Sequence, residues 1–419
     1  MGRAMNLYEP WSLRELAGDL ATGATTPAAA LDRARARIAE TEPELAAWVV
    51  QDPSPDVTSA SGALGGVPLG VKDIIDVAGF PTRCGTALRA DAPAAQADAP
   101  IVRAWRDAGA FVVGKTVTTE FAFFAPGPTD NPAAPGHTPG GSSSGSAAAV
   151  ASGQVPLAIG SQTAGSVTRP AAFCGVASLV MTHGRFSVDG VVGLSPSLDS
   201  HGVYAAGAGD LAVAWAALNG GGPVPGTVRP PRVLLWTAEP LGVVEDEMGQ
   251  AVETLRKRLT EAGAVVDAFP EERLIAETTA AHPVVMAYEA ARERAAELAL
   301  ADRLSEPLAR LLRTGAATPD ADYEAARRTV AAARARVAAL LESYDVIVGP
   351  AAPGAAPAGL AATGDPVLSR AWQALGLPTV AVPGLRDAAG LPLGVQVIGP
   401  ARGEADLLAR SAWIEGTLT

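Results

Sequence analysis

The sequence predicts an α/β protein built on one central mixed β-sheet covered by helices on both faces. Three observations predict it. Short Val- and Ile-rich runs bounded by glycine, such as "GVPLGVKDIIDVAG" and "GAFVVGKTV", read as buried strands. Stretches of helical period separate many of these runs, the pattern of strands joined by covering helices. And 419 residues, 48% hydrophobic and only 18% charged, are enough to bury a large core.

From Ser12 to Val50 the apolar residues recur at helical spacing, in "LRELAGDLATG" and "ALDRARARIAETEPELAAWVV". Thr26 reads there as an N-cap ahead of Pro27 at the first helical position. After Gly65 come the two strands quoted above, with "DAPIVRAWRDAG" between them as a crossover helix, and a further strand at "VPLAIGSQ". "RVLLWTAEP" adds another strand, and "YDVIVGPAAP", "PTVAVPG" and "GVQVIGP" complete the sheet. The stretch 245–342 differs: it is charged, alanine-rich and almost wholly helical in period, as in "YEAARRTVAAARARVAALLESY", and its charges read as solvated helix faces.

A net charge of -12 argues against a nucleic-acid surface, which needs clustered Lys and Arg. Two cysteines, Cys84 and Cys174, make no disulfide framework and suit a reducing cytosol. The N-terminus lacks a basic region followed by an apolar stretch, so no signal peptide is expected. The most apolar run, "SAAAVASGQVPLAIGS", is interrupted by Gly, Pro, Ser and Gln, so no membrane span is expected either. No His, Cys and Asp cluster has ligand spacing, and no metal is expected. The expectation is a soluble cytoplasmic protein.

"PGGSSSGSAAAVASG", from Pro139, admits three readings. A flexible linker is one, but the loop is short and runs directly into a good helix start. A phosphate cradle is another, but the lysine of G-x-x-x-x-G-K-[ST] is absent and G-x-G-x-x-G is not met. The third is nucleophilic chemistry. Residues 141–145 formally match the G-x-S-x-G elbow with Ser143 central, which requires an acid and a histidine downstream. None of the four histidines, His137, His183, His201 and His282, sits in a context that singles it out, and each reads as an ordinary surface or core residue. A neutral lysine can replace histidine as the base. In an arginine-rich chain, Lys72 in "VPLGVKDIID" and Lys115 in "VVGKTVTTE" are the lysines inside apolar runs, though each could equally snorkel or pair with an acid.

The second half of the pattern is "GSQTAGSVTRPAAFCG". A Gly165-Ser166 turn follows a strand, and successive backbone N–H groups in such a turn can form an oxyanion hole. Arg169, three residues beyond the serine, suits a substrate-anchoring cation or a structural salt bridge.

Together these residues resemble the amidase signature family, of the free-standing amidase type. The resemblance rests on "GVPLGVKDIIDVAGFPTRCGT", "GKTVTTEFAF", "HTPGGSSSGSAAAVASGQVPLAIGSQTAGSVTRPAAFCGV" and "LSPSLDSHGVYA", with an echo in "GDPVLSRAWQALGLPTVAVPG" and "LPLGVQVIG". It implies a single amidase signature domain over 1–419: a helical N-terminal layer at 1–60, a catalytic core at 65–205, a helical region at 245–342 that shortens the acyl-pocket part, and the C-terminal part of the sheet at 345–419. It also implies a Ser–cisSer–Lys triad, with Lys72 as base, Ser142 as bridging serine and Ser166 as nucleophile. The serine separation, 166 − 142 = 24, agrees with the family pattern. Thr163, Ala164 and Gly165, with Ser166, would form the oxyanion hole, and Arg169 and Ser143 would bind substrate.

The activity implied is hydrolysis of a C–N bond in a small or medium carboxamide, or a related urea, carbamate or ester, with no cofactor. Gln162 and Ala164 stand where many relatives carry the Asp and first Gly of Asp-x-Gly-Gly-Ser, which turns the reading away from a tRNA-dependent amidotransferase subunit that needs a partner protein. Intact Lys72, Ser142 and Ser166 turn it away from a non-catalytic binding protein of the same fold. The short helical middle implies a more open cleft. Phe124 and Trp372 are candidates for the acyl pocket, with core packing as the commoner fate of such aromatics. The expected partners are a small amide substrate and, at most, a second copy of the chain.

Overall fold

The structure, a computed structural model, describes residues 6–57, 61–222 and 229–418. Its eleven strands are β1 (Trp48–Gln51), β2 (Pro68–Lys72), β3 (Phe111–Thr116), β4 (Leu157–Gln162), β5 (Ala177–Val180), β6 (Ser200–Ala205), β7 (Arg232–Leu235), β8 (Val265–Ala268), β9 (Val346–Pro350), β10 (Thr379–Arg386) and β11 (Pro392–Ile398). They form one sheet in the order β1-β3-β2-β4-β6-β5-β10-β11-β9-β7-β8. The sheet is mixed: β2 runs parallel to β3 and β4, and β7 parallel to β8 and β9, while the central ladders from β4 through β6, β5, β10 and β11 to β9 are antiparallel.

Both faces are covered, as expected, and the side-chain alternation of single strands shows it. Along β3, Phe111 and Val113 join one apolar cluster while Val112 joins the other. In β4, Ala158 faces the first cluster and Leu157 and Ile159 the second, the period of two that a strand imposes. The helices Pro27–Leu45, Ser144–Ala151 and Thr168–Cys174 pack on the first face. Pro100–Asp107, Ala208–Leu218, Asp246–Glu261 and Glu272–Glu293 pack on the second.

Local chemistry explains the element starts. Ser12 caps Leu13–Thr22 by accepting from Glu15 N, and Thr26 caps Pro27–Leu45 by accepting from Ala29 N at 3.2 Å. The N-terminal layer is not wholly helical, however. Helix Pro27–Leu45 ends at Ala46, which turns left-handed at φ 48°, and Trp48–Gln51 then pairs with β3 as an edge strand. The helical middle carries a similar exception, since Val265–Ala268 pairs with β7 as the opposite edge. Both runs are four residues long, too short for periodicity to tell a strand from a helical segment. β5 and β6 were likewise not foreseen.

Trp372 is a core residue, packed edge-to-face on Trp236 with ring centroids 5.1 Å apart. Among the described residues no helix is long and apolar enough to cross a membrane.

Candidate active site

The site forms at the C-terminal ends of the parallel strands β2 and β4, where an α/β sheet leaves a crevice. Lys72 is the last residue of β2 and is fully buried. Its Nζ lies 2.8 Å from Ser142 Oγ, 2.9 Å from Ser161 Oγ and 3.3 Å from the Ser161 carbonyl. No acid is among these partners. Burial therefore acts with little compensation and lowers the Lys72 pKa to about 7, although the more distant charges of Asp199 and Cys84 push the other way.

Lys115, equally buried on the neighbouring strand β3, has the opposite fate: Nζ sits 3.0 Å from the Asp73 carboxylate and 3.2 Å from Thr82 Oγ1. The structure thus separates two lysines that look alike in sequence. One is ion-paired, and the other faces hydroxyls.

Ser142 follows Gly141 through a cis peptide bond and precedes the helix Ser144–Ala151, whose Ser, Gly, Ala and Val side chains are small enough for every residue to be buried. The two serine loops are tied through the Ser166 carbonyl, which accepts from Ser143 N at 3.2 Å and from the Tyr204 hydroxyl at 3.2 Å. Ser143 is turned away from the cleft, its hydroxyl donating to the Ser161 carbonyl at 3.2 Å. Its place is behind the site, holding the serine loop to β4, and not on the substrate wall.

Ser142 and Ser166 line one narrow cleft. The backbone of Thr163–Gly165 forms its polar wall. Among the described residues, the N–H groups of Ala164, Gly165 and Ser166 donate to no backbone carbonyl. Gln162 accounts for the turn: its Oε1 accepts from Val167 N at 2.8 Å and Thr168 N at 3.0 Å, so the chain leaves β4, bends, and enters the helix Thr168–Cys174.

Arg169 lies on that helix, buried against the same cleft. One nitrogen donates to the Gly141 carbonyl at 2.6 Å and to Thr363 Oγ1 at 3.3 Å, while Nε and Nη1 have no partner. Burial lowers its pKa to about 10, so the guanidinium stays charged at neutral pH.

The apolar wall is Phe123, Phe124, Leu194 and Met286. Phe124 thus reaches the pocket, and so does the helical middle through Met286. The lip is strained: Phe121, Ala122 and Phe124 have φ of 44°, 60° and 40°, a region that costs side-chain-bearing residues about 1–3 kcal/mol each. Glu120 holds it by accepting from Thr86 Oγ1 at 2.9 Å and Ser305 N at 2.8 Å.

Three histidines bond to carbonyls away from this cleft, at Pro135, Pro196 and Ser187. His282 bonds to the Thr163 carbonyl, on the polar wall itself. Ser161, Asp199, His282, Met286 and Thr363 are the site residues that sequence reasoning missed. Ser161 and Asp199 lay inside quoted stretches, but no spacing rule marked either. Among the described residues no group of His, Cys, Asp and Glu is arranged to hold a metal ion.

Hydroxyls thus gather about a buried lysine at the rim of a mixed sheet clothed on both sides. The amidase family matches residues 44–408, and the chain belongs to that family, the hydrolases that act on C–N bonds. It is 32% identical to the 2-amino-5-chloromuconic acid deaminase of Comamonas testosteroni, over 97% of this chain and 96% of that protein. It is 30% identical to a glutamyl-tRNA(Gln) amidotransferase subunit of Lachnospira eligens, over 92% and 93%. A crystal structure of an amidase matches the fold with a TM-score of 0.83 at 29% identity, over 97% of this chain and 99% of that one.

Proposed function

We propose that the protein hydrolyses a small carboxamide through an acyl-enzyme on Ser166, working alone in the cytoplasm. The observation that carries this reading is the fully buried Lys72, with its pKa near 7 and Ser142 Oγ at 2.8 Å. A neutral amine has a lone pair for a proton, which an ordinary lysine, with a pKa near 10.4, lacks at pH 7.

Ser166 Oγ attacks the amide carbon while its proton passes to Ser142, and the Ser142 proton to Lys72. The carbonyl electrons move onto oxygen, where the N–H groups along Thr163–Ser166 receive them. Each such donor typically contributes about 10²–10³ in kcat. Collapse breaks the C–N bond, and the proton returns through Ser142 to the leaving amine. Water, activated by the same relay, then releases the acid from Ser166.

The two free nitrogens of Arg169 suit a carboxylate at the far end of the acyl group, because a buried unpaired guanidinium is costly until an anion meets it. The deaminase relative is named for a substrate that is itself a carboxylic acid, which supports the same class.

A second reading, an amidotransferase component that needs a partner, draws on the amidotransferase relative. One experiment separates the two. The purified chain is given the half-amide of a short dicarboxylic acid with hydroxylamine, which attacks an acyl-enzyme to give a hydroxamic acid. Hydroxamate from the chain alone, none from Ser166→Ala, and less from the neutral monoamide of equal length is the expected result. Full activity in Ser166→Ala would remove the nucleophile assignment, and activity only after a partner is added would favour the second reading.

A further inference from the structure

Thr163, the first residue of the polar wall, is held from two sides. Its hydroxyl donates to Asp199 Oδ1 at 2.5 Å, and its carbonyl lies 2.8 Å from His282 Nε2. A carbonyl can only accept, so Nε2 carries the hydrogen and Nδ1 is bare. His282 is fully buried, and Nδ1 has no partner. A second ring proton would have nothing to bond, and burial accordingly depresses the pKa to about 4. The ring is a neutral donor with a fixed tautomer.

The Thr163 carbonyl and the Ala164 N–H belong to one peptide unit. That unit is trans, the Gly141–Ser142 bond being the cis one among the described residues, and in a trans peptide the C=O and N–H point in opposite directions. Pinning the carbonyl to His282 on the helix side therefore aims the Ala164 N–H the other way, and Ala164 lines the cleft. A hydrogen bond to the carbonyl also polarises the peptide and makes its N–H a stronger donor.

His282, Met286 and Glu289 lie on one face of the helix Glu272–Glu293. Met286 forms cleft wall, and Glu289 accepts from Ser195 Oγ at 2.7 Å and Ser197 Oγ at 2.6 Å in the segment that supplies Leu194. One helix face therefore sets the substrate wall, the 194–199 segment and the polar peptide together.

We infer that His282 is a positioning residue that orients the Thr163–Ala164 peptide as an oxyanion donor through its Nε2–H. The inference rests on the reading of Ser166 as nucleophile and of this backbone as its oxyanion hole. His282→Gln places an amide N–H near the Nε2 position, whereas His282→Leu fills the space without a donor.

The test measures the rate at which a fluorophosphonate modifies Ser166, followed by peptide mass, together with kcat and KM for the half-amide and the melting temperature of each variant. His282→Leu is expected to slow both modification and kcat by about tenfold, part of what loss of a whole donor costs, with KM unchanged. His282→Gln is expected to recover most of both. Wild-type rates in His282→Leu would overturn the inference, and so would equal losses in the two variants that track their melting temperatures. If the wild-type protein is not modified at Ser166, the nucleophile reading itself fails, a result distinct from either.

Discussion

Lys72 and Lys115 are two of only three lysines in the chain, both buried, and their different neighbours dictate different chemistry. Lys115 meets a carboxylate, so removing either partner would strand a buried charge. Lys72 meets two hydroxyls and a carbonyl, so its neutral form is the better fit. A pH dependence follows with a definite sign. The base works deprotonated, and burial has lowered its pKa to about 7. Below that pH, kcat/KM for the half-amide should fall about tenfold per unit, and above it reach a plateau. A limb displaced to pH 9 or beyond, in initial rates across a buffer series, would show that Lys72 is not held neutral.

At this scale the site was legible where chemistry leaves a rare mark: a lysine in an apolar run, serines between glycines, an arginine after a turn. His282 and Asp199 were not legible, because a buried histidine touching a carbonyl 119 positions away has no local signature.

Among the elements, the turn from β4 into Thr168–Cys174 shows how a departure from the family pattern is accommodated. Gln162 accepts two backbone N–H groups, as a carboxylate could, but its Nε2 also donates to Gln373 Oε1 at 3.0 Å. Gln373 in turn donates to the Gln162 carbonyl at 3.1 Å, to Ser200 Oγ at 3.1 Å and to the Leu198 carbonyl. The pair is buried and uncharged, and a carboxylate at 162 could supply only the accepting half.

Gln373→Ala leaves these groups without partners and should cost about 1–3 kcal/mol, with slower Ser166 modification because the nucleophile's turn loses its outer brace. Denaturant melts with the fluorophosphonate rate check both, and an unchanged midpoint would mean that water replaces the lost amide. Long periodic helices and glycine-bounded strands could be read from sequence. The edge strands β1 and β8 could not, each being a four-residue run inside a stretch of helical period.

For the whole molecule, composition sufficed to anticipate one large core, but strand order is a long-range property that no local pattern encodes. β1 to β6 come from residues 48–205, and the sheet continues through β10, nearly two hundred residues after β5, before returning to β7 and β8. The seam is the β5–β10 ladder, Thr379↔Val180 to Ala381↔Ser178. The cleft ignores that seam: Ser142, Ser166 and Arg169 come from one side of it, Thr363 and Pro366 from the C-terminal part, and Met286 from the helical middle.

A chain of this length need not unfold in one step. Because the site takes a wall from each part, however, it should be lost as soon as any part separates. Heating should therefore abolish Ser166 modification at the same temperature at which far-UV circular dichroism collapses. If the helical middle melted as an independent layer, modification would fail first while most of the dichroism remained. Two separated transitions would thus locate a weak seam between that layer and the sheet, and a single coincident one would show the interleaved sheet and its covering helices acting as one cooperative unit.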